Sequence, residues 1–238
     1  MIDNLGLGDA LDGVELLRDV EKVFDVQIAN KEAEALWNVG DLYDLILKKL
    51  PRGEANTKCA SAMAFYRLRR AFIDLSMTDV LSPSSDMAAW RSVHARPLFR
   101  ELESRTGLNM PRQSFSWIGK TGGWIALSWL AAMTFDLLLP PIYKPILQVL
   151  SIYCWSALPL AFAFAQFDPG RFPRDCRTFG DLVTKVSYES YGKLVKAGAA
   201  TSEQAIWTAL TEAVESVTNV PAAKIARETL FLQASRRR

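Results

Sequence analysis

Two long apolar runs occupy the middle of this chain and limit what it can fold into. Residues 121–139 carry one charge, Asp136, and residues 146–167 carry none. At a rise of about 1.5 Å per residue, helices of this length reach across the roughly 30 Å hydrocarbon core of a bilayer. Three prolines between the runs indicate a turn. The pattern predicts a transmembrane helical hairpin, and two buried core helices of a soluble domain are the alternative.

Basic residues flank the predicted hairpin on both sides. Six lie between Arg91 and Lys120 and three between Arg171 and Arg177, whereas the turn holds only Lys144. Loops rich in Lys and Arg remain on the cytoplasmic side of a membrane. We therefore expect a protein of the inner membrane with both termini in the cytoplasm and the lipid bilayer as one partner.

Charge divides the chain into four predicted segments. Residues 1–50 hold eleven acidic and five basic residues, and residues 51–120 form a basic helical linker. Residues 121–167 are the hairpin, and residues 168–238 are a helical tail of mildly basic charge. Half of the residues are apolar and 11% are aromatic, so the chain has enough material for a packed core. The patterns predict an all-α protein.

Few residues here suit catalysis or metal binding. The chain has one histidine, His94, and its three cysteines (Cys59, Cys154 and Cys176) lie far apart. A redox pair or a zinc site needs closely spaced ligands. The acidic residues near the N-terminus follow a helix face, whereas hard cations need six or more oxygens around a loop. We therefore expect no catalytic residue, no metal, no cofactor and no enzymatic activity.

Residues 65–72 (FYRLRRAF) form a basic, aromatic helical pattern. Three arginines among apolar residues are too few for a nucleic-acid footprint, so we expect no nucleic-acid partner. A position near anionic lipid headgroups fits better. A helix packed on its neighbours with solvated arginines and a helix facing an acidic protein surface remain as alternatives.

The acidic N-terminal segment begins with an amphipathic helix. Leu11, Val14, Leu17 and Val20 recur at helical spacing and predict an apolar stripe. Asp9 stands at the N-cap position, where a carboxylate complements the positive end of the helix dipole.

Residues 4–50 carry a family resemblance. The stretch LGLGDALDGVELLRDVEKVFDVQIANKEAEALWNVGDLYDLI is similar to the second, third and fourth helices of acyl carrier proteins. In that family an Asp-Ser-Leu motif carries phosphopantetheine, and here Asp9, Ala10 and Leu11 occupy it. Attachment needs a hydroxyl oxygen for the phosphodiester, and the methyl group of Ala10 has none. The chain thus resembles the bacterial carrier-like domains that lack the serine.

The resemblance implies a membrane-anchored binding or regulatory module without catalysis. Its acidic helix would bind a basic protein or an acyl-transfer enzyme. The candidate partner-binding residues are Asp9, Ala10, Leu11, Asp12, Glu15 and Asp19. One alternative is a working acyl carrier, or a subunit of an acyl-transfer or lipid-metabolism system, modified at an unexpected residue. Another is a lipid enzyme that uses Asp136 and the basic segment.

The tail resembles the part of a carrier protein that is absent before residue 4. Ser202 stands at an N-cap before an amphipathic helix, and the loop after it is similar to the loop that joins the first two carrier helices. Residues 202–233 would dock on residues 9–50 of the same chain, or of a second subunit in a homodimer. Residues 178–186 (TFGDLVTKV) also echo NVGDLYDLI, as a faint internal repeat or by chance.

Overall fold

The structure is a computed structural model, and it describes residues 2–6, 10–51, 58–75, 81–88, 90, 94–113, 117–138, 159, 161–163, 168–173 and 175–231. These residues form helices joined by loops and isolated bridges, in agreement with the predicted all-α class. The helices are α1 (Ala10–Phe24), α2 (Asn30–Ala33), α3 (Val39–Lys49), α4 (Ala60–Asp74), α5 (Ala95–Thr106), α6 (Trp117–Leu138), α7 (Phe179–Glu189), α8 (Tyr191–Lys196) and α9 (Glu203–Thr218), followed by a 3-10 turn at Ala222–Lys224.

The chain divides into two compact units. The first comprises Met1–Asp86, Arg100–Pro111 and Arg177–Arg238, and the second Met87–Phe99 and Arg112–Cys176. The division follows contacts in space and therefore interleaves segments that are distant in sequence. The segment boundaries that charge suggests stay predictions.

The predicted transmembrane hairpin over 121–167 is wrong. None of the helices that the structure describes combines the length and the apolarity needed to cross a membrane. Helix α6 covers the first run, but its opening turns carry Lys120 and several glycines, and the hydroxyls of Ser128 and Thr134 add further polarity. The second run lies almost wholly outside the described residues. The inner-membrane location and the cytoplasmic termini stay predictions.

Within the first unit, α1 lies along α9, and α3 packs across the same helix. The buried side chains of these helices form one apolar core, which includes Leu16, Val20, Leu42 and Leu210. We call the assembly of α1, α3, α9 and the loop after α9 the first bundle. Backbone hydrogen bonds link this loop to α3, since the Val39 amide donates to the Thr229 carbonyl at 3.0 Å. The tail thus contacts the acidic N-terminal segment of the same chain.

The same local structure occurs a second time, at α7. In α3 the side chain of Asn38 accepts from the amide of Asp41, whose carboxylate accepts from Asn38 in return. In α7 Thr178 and Asp181 form the same capping box. Each box satisfies amides that a helix N-terminus otherwise leaves without partners.

The loops that cross these two N-termini also match. The amide of Gly40 donates to the Arg227 carbonyl and the amide of Gly180 to the Pro83 carbonyl, both at 2.8 Å. A Cβ at either glycine would lie 2.9 Å from that carbonyl oxygen, so the close approach requires glycine. In each loop a hydroxyl, of Thr229 or of Ser85, accepts from the amide three residues earlier.

A third match lies at the C-terminal ends of α1 and α5, which have the same local structure. The Glu21 carboxylate accepts from the Ile28 amide at 2.6 Å, and the Glu103 carboxylate accepts from the Met110 amide at 2.9 Å. Between them Asp25 and Gly107 take the left-handed conformation, at φ 51° and 69°. We therefore define a second bundle, formed by α4, residues 81–86, residues 100–110 and α7.

Helix α8 forms hydrogen bonds to both bundles. Lys196 donates to the carbonyl of Asp25, and Lys193 donates to the carbonyl of Gly107 at 3.0 Å, so one short helix caps the two equivalent left-handed residues. The amide side chain of buried Asn109 donates to the Lys22 carbonyl at 3.1 Å and to that of Glu189 at 2.6 Å. These contacts tie the ends of α1, α5 and α7 together.

If the two caps are equivalent, Asn38→Ala and Thr178→Ala should each lower the free energy of unfolding by about 1 kcal/mol, because each leaves a helix amide without its acceptor. Chemical denaturation measures both. The matched control is Asn30→Ala at the start of α2, where the helix has no side-chain cap hydrogen bond. A loss at Asn38 with none at Thr178 would contradict the equivalence.

Gly192 of α8 should tolerate no side chain, because a Cβ there overlaps the backbone carbonyl of Phe24. We expect Gly192→Ala to cost about 1–3 kcal/mol of unfolding free energy, measured by urea denaturation. Gly13→Ala inside α1 is the control, since its Cβ meets nothing within 4 Å. That change should stabilise by about 0.5–1 kcal/mol. Equal effects of the two substitutions would refute the close contact.

Candidate functional site

Helix α1 has one buried face and one exposed face. Leu16, Val20 and Phe24 are at most 2% exposed and lie in the core of the first bundle. Val14, which the predicted stripe places inside, is 46% exposed, so that part of the prediction is wrong. Spacing alone does not choose between neighbouring faces, and packing against α9 and α8 turns Leu16 inward instead.

The exposed face of α1 carries the predicted partner-binding carboxylates. Asp12 and Glu15 are exposed and Asp19 is half-buried. Their positions, three and seven residues apart, lie on one side of a helix. We call these three residues the acidic face. Asp9 lies outside the described residues, as do the side chains of Ala10 and Leu11, although their backbone belongs to α1. Their role in binding stays a prediction.

Glu32 and Asp44 of the first bundle form ion pairs. Lys49 lies 2.8 Å from Glu32, and this hydrogen bond, with one from the Ala29 amide, lowers the pKa of Glu32. Arg227 lies 2.6 Å from Asp44 and also stacks over the Tyr43 ring, 4.8 Å from its centre. These pairs join the acidic segment to its own structure. The acidic face lies on a different helix from either pair.

The candidate site is an exposed helix surface rather than a pocket with clustered reactive groups. No group of three or more His, Cys, Asp or Glu side chains in the described part of the chain could hold a metal ion. Cys59 is exposed, and its hydrogen bond with Ser61 lowers the pKa of the thiol. The feature that α1 does offer is a row of carboxylates beside an exposed valine, which suits contact with a basic, partly apolar protein surface.

The repeated structure reveals a residue that sequence reasoning missed. Ala10 stands eleven residues before Glu21, and Ser92 stands eleven residues before Glu103. Glu21 and Glu103 make the same hydrogen bond, and in that register Ser92 aligns in sequence with Ala10, although α1 begins at Ala10 and α5 only at Ala95. Ser92 itself lies outside the described residues. The signal in the sequence was the echo at 178–186, where the structure places α7 with the same capping box as α3.

Comparisons with known proteins match part of the chain. An acyl carrier protein of Syntrophobacter fumaroxidans is 42% identical over 48 residues, which are 20% of this chain and 58% of the relative. Acyl carrier proteins of Chlorobium phaeovibrioides and Chlorobium luteolum are each 47% identical over 47 residues, or 59% of the relative.

The chain thus spans about three fifths of the length of the curated relatives that it matches. No family model and no solved structure matches it. Because the identity is high over this short stretch, the chain contains a domain similar to acyl carrier proteins over about a fifth of its length.

Proposed function

We propose that this protein is a non-catalytic, carrier-like binding module. Its acidic face would bind a basic protein, such as an enzyme of acyl transfer, while Ala10 prevents the attachment of phosphopantetheine. The observation that carries this proposal is helix α1, which presents Asp12 and Glu15 to solvent and begins at Ala10, the residue that the resemblance aligns with the attachment serine.

The chemistry of attachment supports a binding role. A phosphodiester forms through a hydroxyl oxygen, and the side chain of Ala10 offers only carbon and hydrogen. The first bundle nevertheless keeps the packing of α1 and α3 on α9. A domain that retains the recognition helix without the reactive group is suited to occupy a carrier-binding surface or to regulate its enzyme.

A working acyl carrier is the second candidate, and the correspondence of Ala10 with Ser92 favours it. In this case the second bundle would carry the group, and the first would serve recognition. The residues around Ser92 depart from the family motif, since Arg91 replaces the aspartate and Val93 the leucine. This departure removes the acidic charge at the attachment position.

The test is the intact mass of the protein after incubation with coenzyme A and a phosphopantetheinyl transferase. We expect the natural protein to gain nothing and Ala10→Ser to gain one phosphopantetheine group, because only the variant has a hydroxyl at position 10. Circular dichroism of both proteins controls for folding.

A mass gain by the natural protein that Ser92→Ala abolishes would contradict the binding role and establish a working carrier. If Ala10→Ser also remains unmodified while an authentic acyl carrier protein is modified in the same tube, the resemblance of α1 to a recognition helix fails.

A further inference from the structure

A basic groove opens in the second bundle between α4 and the end of α5. It encloses about 300 Å³ and is lined by Tyr66, Arg67, Arg70, Ala71, Asp74, Arg105 and Thr106. Tyr66 is 66% exposed and thus offers its ring to a ligand or partner. Four of its lining residues, Tyr66, Arg67, Arg70 and Ala71, lie in the basic, aromatic segment 65–72, which has no role in the proposed function.

Comparison with the first bundle shows why the groove exists. The buried residues of α4 and α9 have the same spacing, namely Ala64, Leu68, Ala71 and Phe72 in α4 and Ile206, Leu210, Ala213 and Val214 in α9. Arg67 therefore corresponds to Ala209, which is 1% exposed, and Arg105 corresponds to Val23, which is 3% exposed. Arginines replace two core residues at these positions, so a charged groove takes the place of a closed helix contact.

The charge of the groove is mostly not neutralised. Within the described residues, neither Arg67 nor Arg70 forms an ion pair, and Arg105 lies 2.6 Å from Glu101. The Nε atom of the adjacent Arg69 is buried without a hydrogen-bond partner. Among the described residues that line the groove, Asp74 alone is acidic. Guanidinium groups bind carboxylates through paired hydrogen bonds, so the groove suits an acidic partner.

We propose that this groove binds the acidic face of a second copy of the chain. The inference rests on the proposed function, in which that face is a docking surface. The two surfaces are complementary in charge: Asp12, Glu15 and Asp19 face the guanidinium groups of the groove. The exposed side chains of Val14 and Tyr66 add apolar contact beside the charges.

The partner must come from a second chain. Within one chain, α1 packs mainly against α9 and also against α8 and α7, and α4 packs against α7 and α8, so the main helix contacts do not pair α1 with α4. These contacts bury Val20 and Phe24 and fix α1 in the first bundle. Each copy carries both surfaces, so association through them is self-complementary between chains.

Sedimentation equilibrium of the full chain tests this interface with two charge-reversal variants. Arg67→Glu with Arg70→Glu disables the groove, and Asp12→Lys with Glu15→Lys disables the acidic face. We expect the natural protein to associate and to dissociate as salt rises, because salt screens exposed charges. Each variant alone should associate at least tenfold more weakly. Lys31→Glu with Lys48→Glu, outside the groove, is the control and should associate as the natural protein does.

The decisive sample is an equimolar mixture of the two variants. One intact groove then meets one intact acidic face, so the mixture should form a one-to-one heterodimer although each variant alone is monomeric. Only folded variants can restore association in this way. A monomeric natural protein at every concentration, unchanged association of the groove variant, or a monomeric mixture would overturn the interface. The mass experiment on Ala10→Ser does not depend on self-association, so the proposed function stands or fails separately.

Discussion

The close contact between α8 and the ends of α1 and α5 is the constraint on which the first unit depends. Gly192 allows the α8 backbone to meet the Phe24 carbonyl, and the Phe24 and Tyr191 rings meet edge to face beside it, 6.1 Å between centres. Buried Asn109 then joins three chain segments, and its side-chain donors and acceptor all have partners. A buried polar side chain is stable only when it is satisfied in this way, so the contact also specifies one arrangement.

Around this contact the two bundles have the same helical framework. The capping boxes at Asn38 and Thr178, the glycine approaches at Gly40 and Gly180, and the carboxylate contacts of Glu21 and Glu103 hold both bundles in the same way. The surfaces differ in charge, since α1 is acidic and the groove of the second bundle is basic. A shared frame with opposite charges suits a protein that binds others of its own kind. The similarity to acyl carrier proteins covers about a fifth of the chain, and what the two charged surfaces bind is the subject of the proposals above.

Sequence patterns predicted some of these features and missed others for physical reasons. Helices α1, α3 and α9 followed from local signals such as the Asn38 and Ser202 caps, which need only neighbouring residues. The hairpin prediction was wrong because it relied on the length of runs with few charges and gave too little weight to the uncharged polar residues and glycines of α6. The second bundle was missed because a long insertion separates α5 from α7, and tertiary contacts such as the hydrogen bond from the Asn109 side chain to the Glu189 carbonyl bring their ends together. The orientation of Val14 depends on tertiary packing, which periodicity does not contain.

In the proposed function, the acidic face of α1 binds a basic partner without carrying a group. Titration of the natural protein into a phosphopantetheinyl transferase, by calorimetry at low and high salt, tests it most directly. We expect binding without any covalent product, weaker at high salt and abolished by Asp12→Lys with Glu15→Lys. Absence of binding at low salt, or equal binding by that variant, would contradict it.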